Sequence, residues 1–566
     1  MKIKTKQDIE QLIEKMSLEE KVGQTLVIGF VGTVMTPKIL KRIAEIHPAG
    51  VRCSTNFRMK SASTSDKYKD NQEYRDRVVR VPRDGVKDFV AGIKPARVSN
   101  EQYCELLNGM KRIALDTGAG IPLHVTLDME GDGSNDYLMG ACKYFPAARG
   151  MAESGDTELP YKVGCAVGRQ MADIGFSWIH SPVADINTEP RNPEIGTRSF
   201  GESADSAIPF LVQSFKGLRD GGMICTAKHF PGRGASNVDA HFCLPQITLS
   251  LEEMEEHLKG FQALIDAGIP AIMSAHTAYP ALDPSGVPAT LSKPILTDLL
   301  KGKMGFQGVV STDDITMGGI VENFDVHEGC IKAINAGCDL ILFRDESSLI
   351  DEVYPKLVEA ARTGEIPEER LNDAVRRTLN VKLEYGLFED GGIKDPAHAG
   401  DAIGSEYVAR VAAEAAQKTT YILRNEEQVL PLDKTKKILL IEQVHPVHVD
   451  TNDYYTHPSL LWEKCQKYKP DIQGVECSMK FDEHDQERVQ RQIDNADIIV
   501  CTNYFIRRCG WTQNFPKKLL HYGKPVVVIT NTPYEWGLLP EYKNVIMEYC
   551  GSAETMEEIA RLLFGE

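Results

Sequence analysis

No stretch of the 566-residue sequence approaches the ~20 consecutive apolar residues that a membrane-crossing helix needs. The amino terminus, MKIKTKQDIEQLIEKM, is charged and amphipathic and carries no apolar core of the signal-peptide kind, so secretion is disfavoured. The 13 cysteines include no CxxC pair and are scattered from Cys53 to Cys550. An odd, dispersed set speaks for reduced thiols rather than a disulfide framework or a zinc site, and a cytoplasmic setting is expected. Basic blocks are absent too. A formal net charge of -17 without a compensating cationic patch argues against nucleic acid or an anionic membrane as the partner. No phosphate-cradling glycine loop of the P-loop type is present, so nucleotide use is not expected. Among the 14 histidines only His445 and His448, in HPVH, have ligand-like spacing, and they read as a coincidence in a loop. Neither a metal nor another cofactor is called for, and the expected partner is a small substrate.

Hydrophobic and charged contents of 42% and 26% are those of an ordinary folded protein. The length asks for two domains, a barrel of ~250 or more residues with a smaller companion. Eight short apolar, β-branched runs alternate with helical segments: QTLVIGF ending at Phe30, PAGVRC at Cys53, PLHVTLD at Asp128, FSWIHSP at Pro182, MICTAKH at His229, AIMSAH at His276, GVVSTD at Asp313 and DLILF at Phe343. Eight such units predict a closed (β/α)8 barrel over residues 1–390, closed by the helical segment RLNDAVRRTLNVKLEYGLFED. A Gly-, Ala- and Asp-rich linker follows at 391–406. Residues 407–566 form a second α/β domain, with strands expected at KKILLI, ADIIVCT, KPVVVITN and NVIMEY. A long polar insertion between Asn56 and Ser99 sits where a loop would rise beside the barrel mouth, as a wall of the site or as a solvated excursion.

Several of the runs finish on polar groups: Asp128, His180, Lys228 with His229, Ser274 with His276, and Asp313. In a (β/α)8 barrel the carboxyl ends of the strands face the mouth where chemistry takes place. The segment KHFPGRGASNVDAH begins at such an end and runs on without periodicity, as a loop over the mouth would. Asp239 and His241 lie two positions apart in it, so the carboxylate can hold one imidazole nitrogen while the other faces a substrate and moves a proton near neutral pH. In GVVSTDDITMGGI, alternation makes Asp313 the end of the inward series and a candidate nucleophile, while Asp314 anchors neighbouring structure or a sugar-facing loop or, as the preferred reading, caps the following helix. Lys228 and His229 are placed to donate to sugar hydroxyls, Asp128 to accept, and Arg198 in NPEIGTRSFG adds a fork of donors. A buried ion-pair cluster among strand ends is the competing account of these four.

These segments, together with MSLEEKVGQTLVIGF, LDMEG, PVADINTEPRNPEIGTRSFG, MSAHTAYP, PATLSKPILTDLL and YILRNEEQVLPL, resemble glycoside hydrolase family 3, and in particular its two-domain β-N-acetylglucosaminidase branch. The resemblance implies a TIM-type barrel followed by an α/β sandwich domain. It implies a retaining, exo-acting β-glycosidase that cleaves a terminal β-linked sugar through a glycosyl-aspartate on Asp313. His241, oriented by Asp239, would be the acid/base, and Asp128, Arg198, Lys228 and His229 would hold the sugar. The chain departs from the family's pattern in three places. Glu130, Gly131, Asp132 and Gly133 stand where E-G-G-R is common, so a usual arginine is missing; Arg233 stands where histidine is common, and Ala235 where aspartate is. A histidine acid/base carries no negative charge when the second substrate enters, so the acceptor is water or inorganic phosphate, with Arg233 a candidate helper for phosphate. A β-glucosidase or β-xylosidase of the same family, and a glycan-binding protein that has lost turnover, stay open as readings.

Overall fold

A computed structural model of the chain describes residues 3–54, 98–131, 142–344, 346–443, 459–478, 481–505, 514–535 and 537–566. The expected wall at 56–99, apart from Val98 and Ser99, and the HPVH pair lie outside these residues.

The eight apolar runs form β1 (Leu26–Val31), β2 (Gly50–Ser54), β3 (His124–Leu127), β4 (Trp178–Ile179), β5 (Ile224–Phe230), β6 (Ala271–Ser274), β7 (Val309–Asp314) and β8 (Leu340–Leu342), with β1, β2, β5 and β7 reaching one residue past the run. All are parallel, and β8 returns to β1 through the register Val27↔Leu342, closing the barrel. Each strand is buried on both sides, which is why the runs read as nearly continuous apolar sequence. The two faces nevertheless separate by strict alternation. Val51, Cys53, Val125, Leu127, Ile179, Cys225, Ala227, Ile272, Val310 and Ile341 pack outward under the helices. Val27, Trp178, Ile224, Ala271, Met273, Val309, Leu340 and Leu342 form a separate cluster inside the barrel.

The inner cluster fills the barrel from its lower end. The His124 ring lies 4.5 Å from Trp178, whose indole Nε1 donates to Thr226 Oγ1 at 2.6 Å. Gly50 faces the same ring: a Cβ there would sit 2.1 Å from His124 Nε2, so the position tolerates only glycine without displacing the histidine. Below this layer the closing helix Glu368–Glu384 inserts Lys382, whose ammonium donates to Gln24 Oε1 at 3.1 Å and to the carbonyls of Ala49 and Pro122, each at 2.8 Å.

The second sheet has the order β11-β10-β12-β13-β14-β9, built from β9 (Tyr421–Asn425), β10 (Ile438–Gln443), β11 (Gln473–Cys477), β12 (Ile498–Asn503), β13 (Val526–Thr530) and β14 (Asn544–Met547). It is parallel except for β9, which runs antiparallel to β14. The four strands expected from sequence are the inner ones. The two edges, β9 and β11, were not anticipated because each is half-exposed and has no continuous apolar run. The sheet docks on the barrel beside the short helix Ala148–Glu153. There Ala147 N donates to Tyr549 O at 2.9 Å, Lys143 pairs with Glu554 at 2.7 Å, and Glu153 accepts from the hydroxyls of Tyr421 and Tyr549 at 2.6 and 2.5 Å. The helix Glu406–Thr419 belongs to both units: Val408, Val411, Ala412 and Ala415 lie in the barrel's outer core, and the same helix packs on Ala553–Phe564.

Replacing Lys382 with Met leaves Gln24 Oε1 and the Pro122 carbonyl as unpaired buried acceptors, at about 1–3 kcal/mol each, while the Ala49 carbonyl keeps its bond from His124 N at 3.2 Å. Thermal unfolding of Lys382→Met is expected several degrees below that of the parent. An unchanged midpoint would mean that desolvation of the lysine already cancels its bonds.

Candidate active site at the barrel mouth

The inward series on each strand runs upward from apolar to charged: His124, Thr126, Asp128; Trp178, His180; Ile224, Thr226, Lys228; Val309, Ser311, Asp313; Leu340, Leu342, Arg344. On β2 the same parity brings Arg52 inward between the outward Val51 and Cys53. These ends converge on one cleft, lined by Arg52, Asp128, Glu130, His180, Arg198, Lys228, His229, Arg233, His241, Met273, Asp313, Leu342 and Arg344. All seven residues singled out from sequence come together: six line the cleft, and Asp239 stands behind His241.

One wall is a chain of alternating charges. Arg52 Nη2 donates to Asp128 Oδ2 at 2.5 Å, and Lys228 Nζ bridges Asp128 at 2.6 Å and Glu130 at 2.5 Å. Arg198 clasps Glu130 with one edge of its guanidinium, Nη2 to Oε1 at 2.8 Å and Nε to Oε2, and its Nη1 donates to the Glu194 carbonyl at 2.9 Å. Burial alone would raise the Asp128 carboxyl, yet Lys228 and Arg52 hold it well below the usual carboxylate range. His180, with Nδ1 at 3.8 Å from Asp128, is shifted downward by its burial.

The facing wall centres on Arg233. Its Nη2 lies 2.9 Å from His229 Nε2, and its Nη1 lies 3.3 Å from Glu194 Oε1 and 3.7 Å from Asp313 Oδ2. Arginine only donates, so His229 Nε2 is the acceptor and its proton sits on Nδ1, directed at Asp185 Oδ2 2.7 Å away. Asp185 also accepts from the backbone of His229 and Arg233, at 3.0 and 2.7 Å, which fixes the turn that presents them. Burial is the largest influence on Asp185 and lifts its carboxyl to about 6 against the pull of Arg233. Asp313 is different. Burial again acts upward, but Arg233, His276, His241 and Lys228 together bring it down to about 2, so it is an ionised, partly desolvated carboxylate. Its side chain is 17% exposed, into the cleft, while that of Asp314 is 1% exposed.

Asp314 does not cap the next helix, as expected from sequence: that helix, Gly318–Val321, has Met317 at its N-cap. Asp314 instead accepts from Thr316 N at 3.2 Å and Thr316 Oγ1 at 2.9 Å and lies 3.8 Å from Arg344 Nε, pinning the turn after β7. That turn in turn fixes the loop bearing His241. Gly318 N donates to the His241 carbonyl at 3.2 Å and Gly319 N to Ala240 O at 3.0 Å. At the other end of the loop Gly234 abuts the Ile186 carbonyl, where a Cβ would lie at 1.6 Å. His241 Nδ1 thereby sits 2.6 Å from Asp239 Oδ1 and 3.0 Å from Glu194 Oε1, with Glu194 Oε2 accepting from Ala240 N at 3.0 Å. Glu194, Asp239 and His241 bring their ligand-type atoms within 4.8 Å of one another, with His241 Nδ1 hydrogen-bonded to Asp239 and in ion-pair contact with Glu194.

Sequence reasoning left Arg52, Glu194, Asp185 and Arg344 without roles. Arg52 carried a usable signal, a lone cation flanked by apolar residues in a strand that alternates. Glu194 and Asp185 carried none, because both come from the irregular segment after β4, where no period fixes the direction of a side chain.

Residues 17–381 match the Glycosyl hydrolase family 3 N terminal domain. Over 488 residues the chain is 28% identical to a beta-N-acetylglucosaminidase/beta-glucosidase of Cellulomonas fimi, covering 80% of this chain and 83% of that protein. It is 26% identical over 493 residues to beta-hexosaminidase A of Pseudoalteromonas piscicida, covering 79% and 80% of the two chains. In three dimensions it resembles a glycoside hydrolase family 3 beta-N-acetylglucosaminidase from Paenibacillus sp. str. FPU-7, with a TM-score of 0.80, 25% identity and 97% of both chains covered.

Arg233 is about 2% exposed, as is Glu194. Arg233→Met leaves the Glu194 and Asp313 carboxylates without their shared cation, a change that costs about 3–5 kcal/mol at buried pairs. A clear fall in the melting temperature is expected, partly restored in Arg233→Met/Glu194→Gln, where the stranded charge is gone. Equal melting of parent and single variant would show that solvent already neutralises the pair.

Proposed function

Because the chain belongs to glycosyl hydrolase family 3 and is a glycosidase, we propose that it removes a terminal β-linked sugar, N-acetylglucosamine in the first instance, with retention of configuration. Asp313 is the nucleophile in this reading, and His241, held by Asp239, is the acid/base. The observation that carries it is the state of Asp313: an ionised carboxylate at the end of an inward strand series, in the same cleft as a histidine whose Nδ1 is committed to a carboxylate.

The chemistry follows in two steps. Asp313 attacks the anomeric carbon as the glycosidic bond breaks, and the departing oxygen takes the proton from His241 Nε2. An acceptor, water or inorganic phosphate, then attacks the same carbon, returns its proton to Nε2 and releases Asp313. Asp239 keeps the imidazole in the tautomer and orientation that leave Nε2 for the substrate, as a buried carboxylate does for a catalytic histidine. Exo action is consistent with the barrel's lower layers, which are filled by His124, Trp178 and their neighbours and leave a terminal sugar no way through. Asp128, Arg198 and Lys228 are proposed to bind the sugar hydroxyls, and His229 to support them through Arg233. The first three act through donor and acceptor positions beyond those used in the wall. The ring of His229 is engaged at both nitrogens and acts by shaping the site around Arg233.

The N-acetylglucosamine preference rests on the names of the relatives from Cellulomonas fimi and Pseudoalteromonas piscicida. Turnover of 4-nitrophenyl N-acetyl-β-glucosaminide and 4-nitrophenyl β-glucoside, each with and without phosphate, tests sugar and acceptor together. Asp313→Asn is expected to lose roughly four orders of magnitude in kcat. His241→Ala is expected to lose 10²–10⁴-fold with an alkyl leaving group and far less with 2,4-dinitrophenolate, which departs without a proton. Phosphate-dependent sugar 1-phosphate identifies phosphorolysis and free sugar identifies hydrolysis. Full activity in Asp313→Asn would sink the mechanism.

The pH dependence follows from Asp313. The reaction needs the ionised carboxylate, so the rate falls as pH drops through its pKa, and at about 2 that fall lies below the working range. Removing the Arg233 cation raises this pKa, as loss of an adjacent opposite charge does. The acidic limb of kcat/KM in Arg233→Met should therefore appear at higher pH than in the parent, where it should be absent down to the onset of acid unfolding. Superimposable limbs would dissociate Arg233 from the nucleophile.

A further inference from the structure

Glu194 stands between two groups that the proposed reaction changes at the same instant. Its Oε1 lies 3.0 Å from His241 Nδ1 on one side and 3.3 Å from Arg233 Nη1 on the other, and the same Nη1 lies 3.7 Å from Asp313 Oδ2. All three side chains of this relay are about 2–3% exposed, so water does not screen them from one another. Asp239 is 2.6 Å from the same imidazole nitrogen, and one N–H cannot point along two such lines at once. The Nδ1 N–H is bonded to Asp239, and Glu194 Oε1 lies beside that bond as an ion-pair contact that alone also faces the arginine.

We propose that Glu194 is a positioning residue that shuttles its charge between His241 and Arg233, coupling the protonation of the acid/base to the occupation of the nucleophile. The proposal rests on the two-step reading of the previous subsection. When Asp313 Oδ2 forms its bond to the anomeric carbon, its negative charge is consumed and Arg233 loses one of its two counter-charges. Arg233 then draws more strongly on Glu194. Glu194 in turn stabilises the imidazolium less, at the moment when the Nε2 proton passes to the departing oxygen. In the second step the order reverses. Asp313 regains its charge as the acceptor bonds to the anomeric carbon, Arg233 returns to it, and Glu194 is released toward His241, which takes the acceptor's proton. No proton moves through Glu194: it stays ionised, since Arg233 and His241 hold it well below the usual carboxylate range although burial, the largest influence, acts upward. The groups that set the balance are those already facing the relay, Asp239, Arg233 and Asp313, with His276 and Lys228 beside Asp313. A purely structural Glu194 would need only to neutralise Arg233 and to accept from Ala240 N.

Two readouts separate these accounts. In protein carrying ¹⁵N-histidine, the downfield Nδ1–H proton resonance of His241 is assigned by its loss in His241→Gln and followed in a cycle of Asp313→Asn, Glu194→Gln and the double variant. Neutralising Asp313 should shift the resonance markedly when Glu194 is present and much less when it is Gln. Equal shifts in both backgrounds overturn the proposal, and this arm needs no substrate, so it decides the matter even if no glycoside is turned over. In kinetics, Glu194→Gln should lower kcat/KM by ~10–100-fold for an alkyl leaving group and by less than about threefold for 2,4-dinitrophenolate, the pattern of impaired proton transfer. Equal losses with both leaving groups overturn it. Should Glu194→Gln fail to fold, Glu194→Asp keeps the charge beside Arg233 but shortens the reach to His241, and the same loss of coupling is expected. Wild-type inactivity on every aryl glycoside would defeat the functional reading and leave the resonance cycle to judge Glu194.

Discussion

The mouth of the barrel is organised by a single constraint: charges taken out of water must be paired, because an unpaired buried ion costs several kcal/mol. Arg52, Lys228 and Arg198 alternate with Asp128 and Glu130 along one wall, and Arg233 stands among Glu194, Asp313 and His229 on the other. Asp313 is ionised only because of this arrangement: burial pushes its carboxyl up and the surrounding cations outweigh that push. The same pairing makes the site rigid. Each side chain is held by at least one charged partner on a different strand or loop, so the cleft is preformed rather than assembled around a ligand.

The origin of this arrangement in the sequence is the two-residue period of the strands. Apolar residues at the lower inward positions pack the barrel, and the next inward position on the same strand is the one that reaches the mouth. Asp128, His180, Lys228 and Asp313 were legible for that reason, as the polar terminators of apolar runs. Arg52 obeys the same rule but lies inside its run, one residue before Cys53, and attention to run ends passes it over. Asp239 and His241 were legible through their spacing within KHFPGRGASNVDAH, a loop rising from a strand end, which suits a carboxylate holding one imidazole nitrogen.

What the sequence did not reveal is what arrives from irregular segments. Glu194 and Asp185 lie after β4, where the chain has no repeating dihedral, and their directions are fixed by long-range bonds such as Ala240 N to Glu194 and His229 N to Asp185. Asp314 was misread for a related reason. A carboxylate just before a helix suggests a cap, but the helix starts later, at Gly318, and the turn between uses Asp314 as its own anchor. The edge strands β9 and β11 escaped because an edge is wetted on one side and need not be apolar. The contact of Arg52 with Asp128 across neighbouring strands is likewise one that no local motif could announce.

The choice of a histidine over a carboxylic acid as acid/base bears on the acceptor in the proposed chemistry. A carboxylic acid that gives up its proton while the nucleophile's charge is consumed leaves the site as negative after the first step as before it. With an imidazolium the same proton transfer also conserves charge, but the total is one unit less negative at both stages. At a separation of ~4 Å and an effective dielectric of ~20, one unit of charge is worth about 4 kcal/mol to an incoming anion. That difference does not bind phosphate, but it removes the repulsion that would keep phosphate from the glycosyl-enzyme. Arg233, which loses the Asp313 charge when the ester forms, is then the cation with the most to offer a newcomer, and Glu194 is its competitor for that role. The balance between water and phosphate therefore turns on how firmly Glu194 retains Arg233 while Asp313 is esterified, a property of one buried pair rather than of the cleft as a whole.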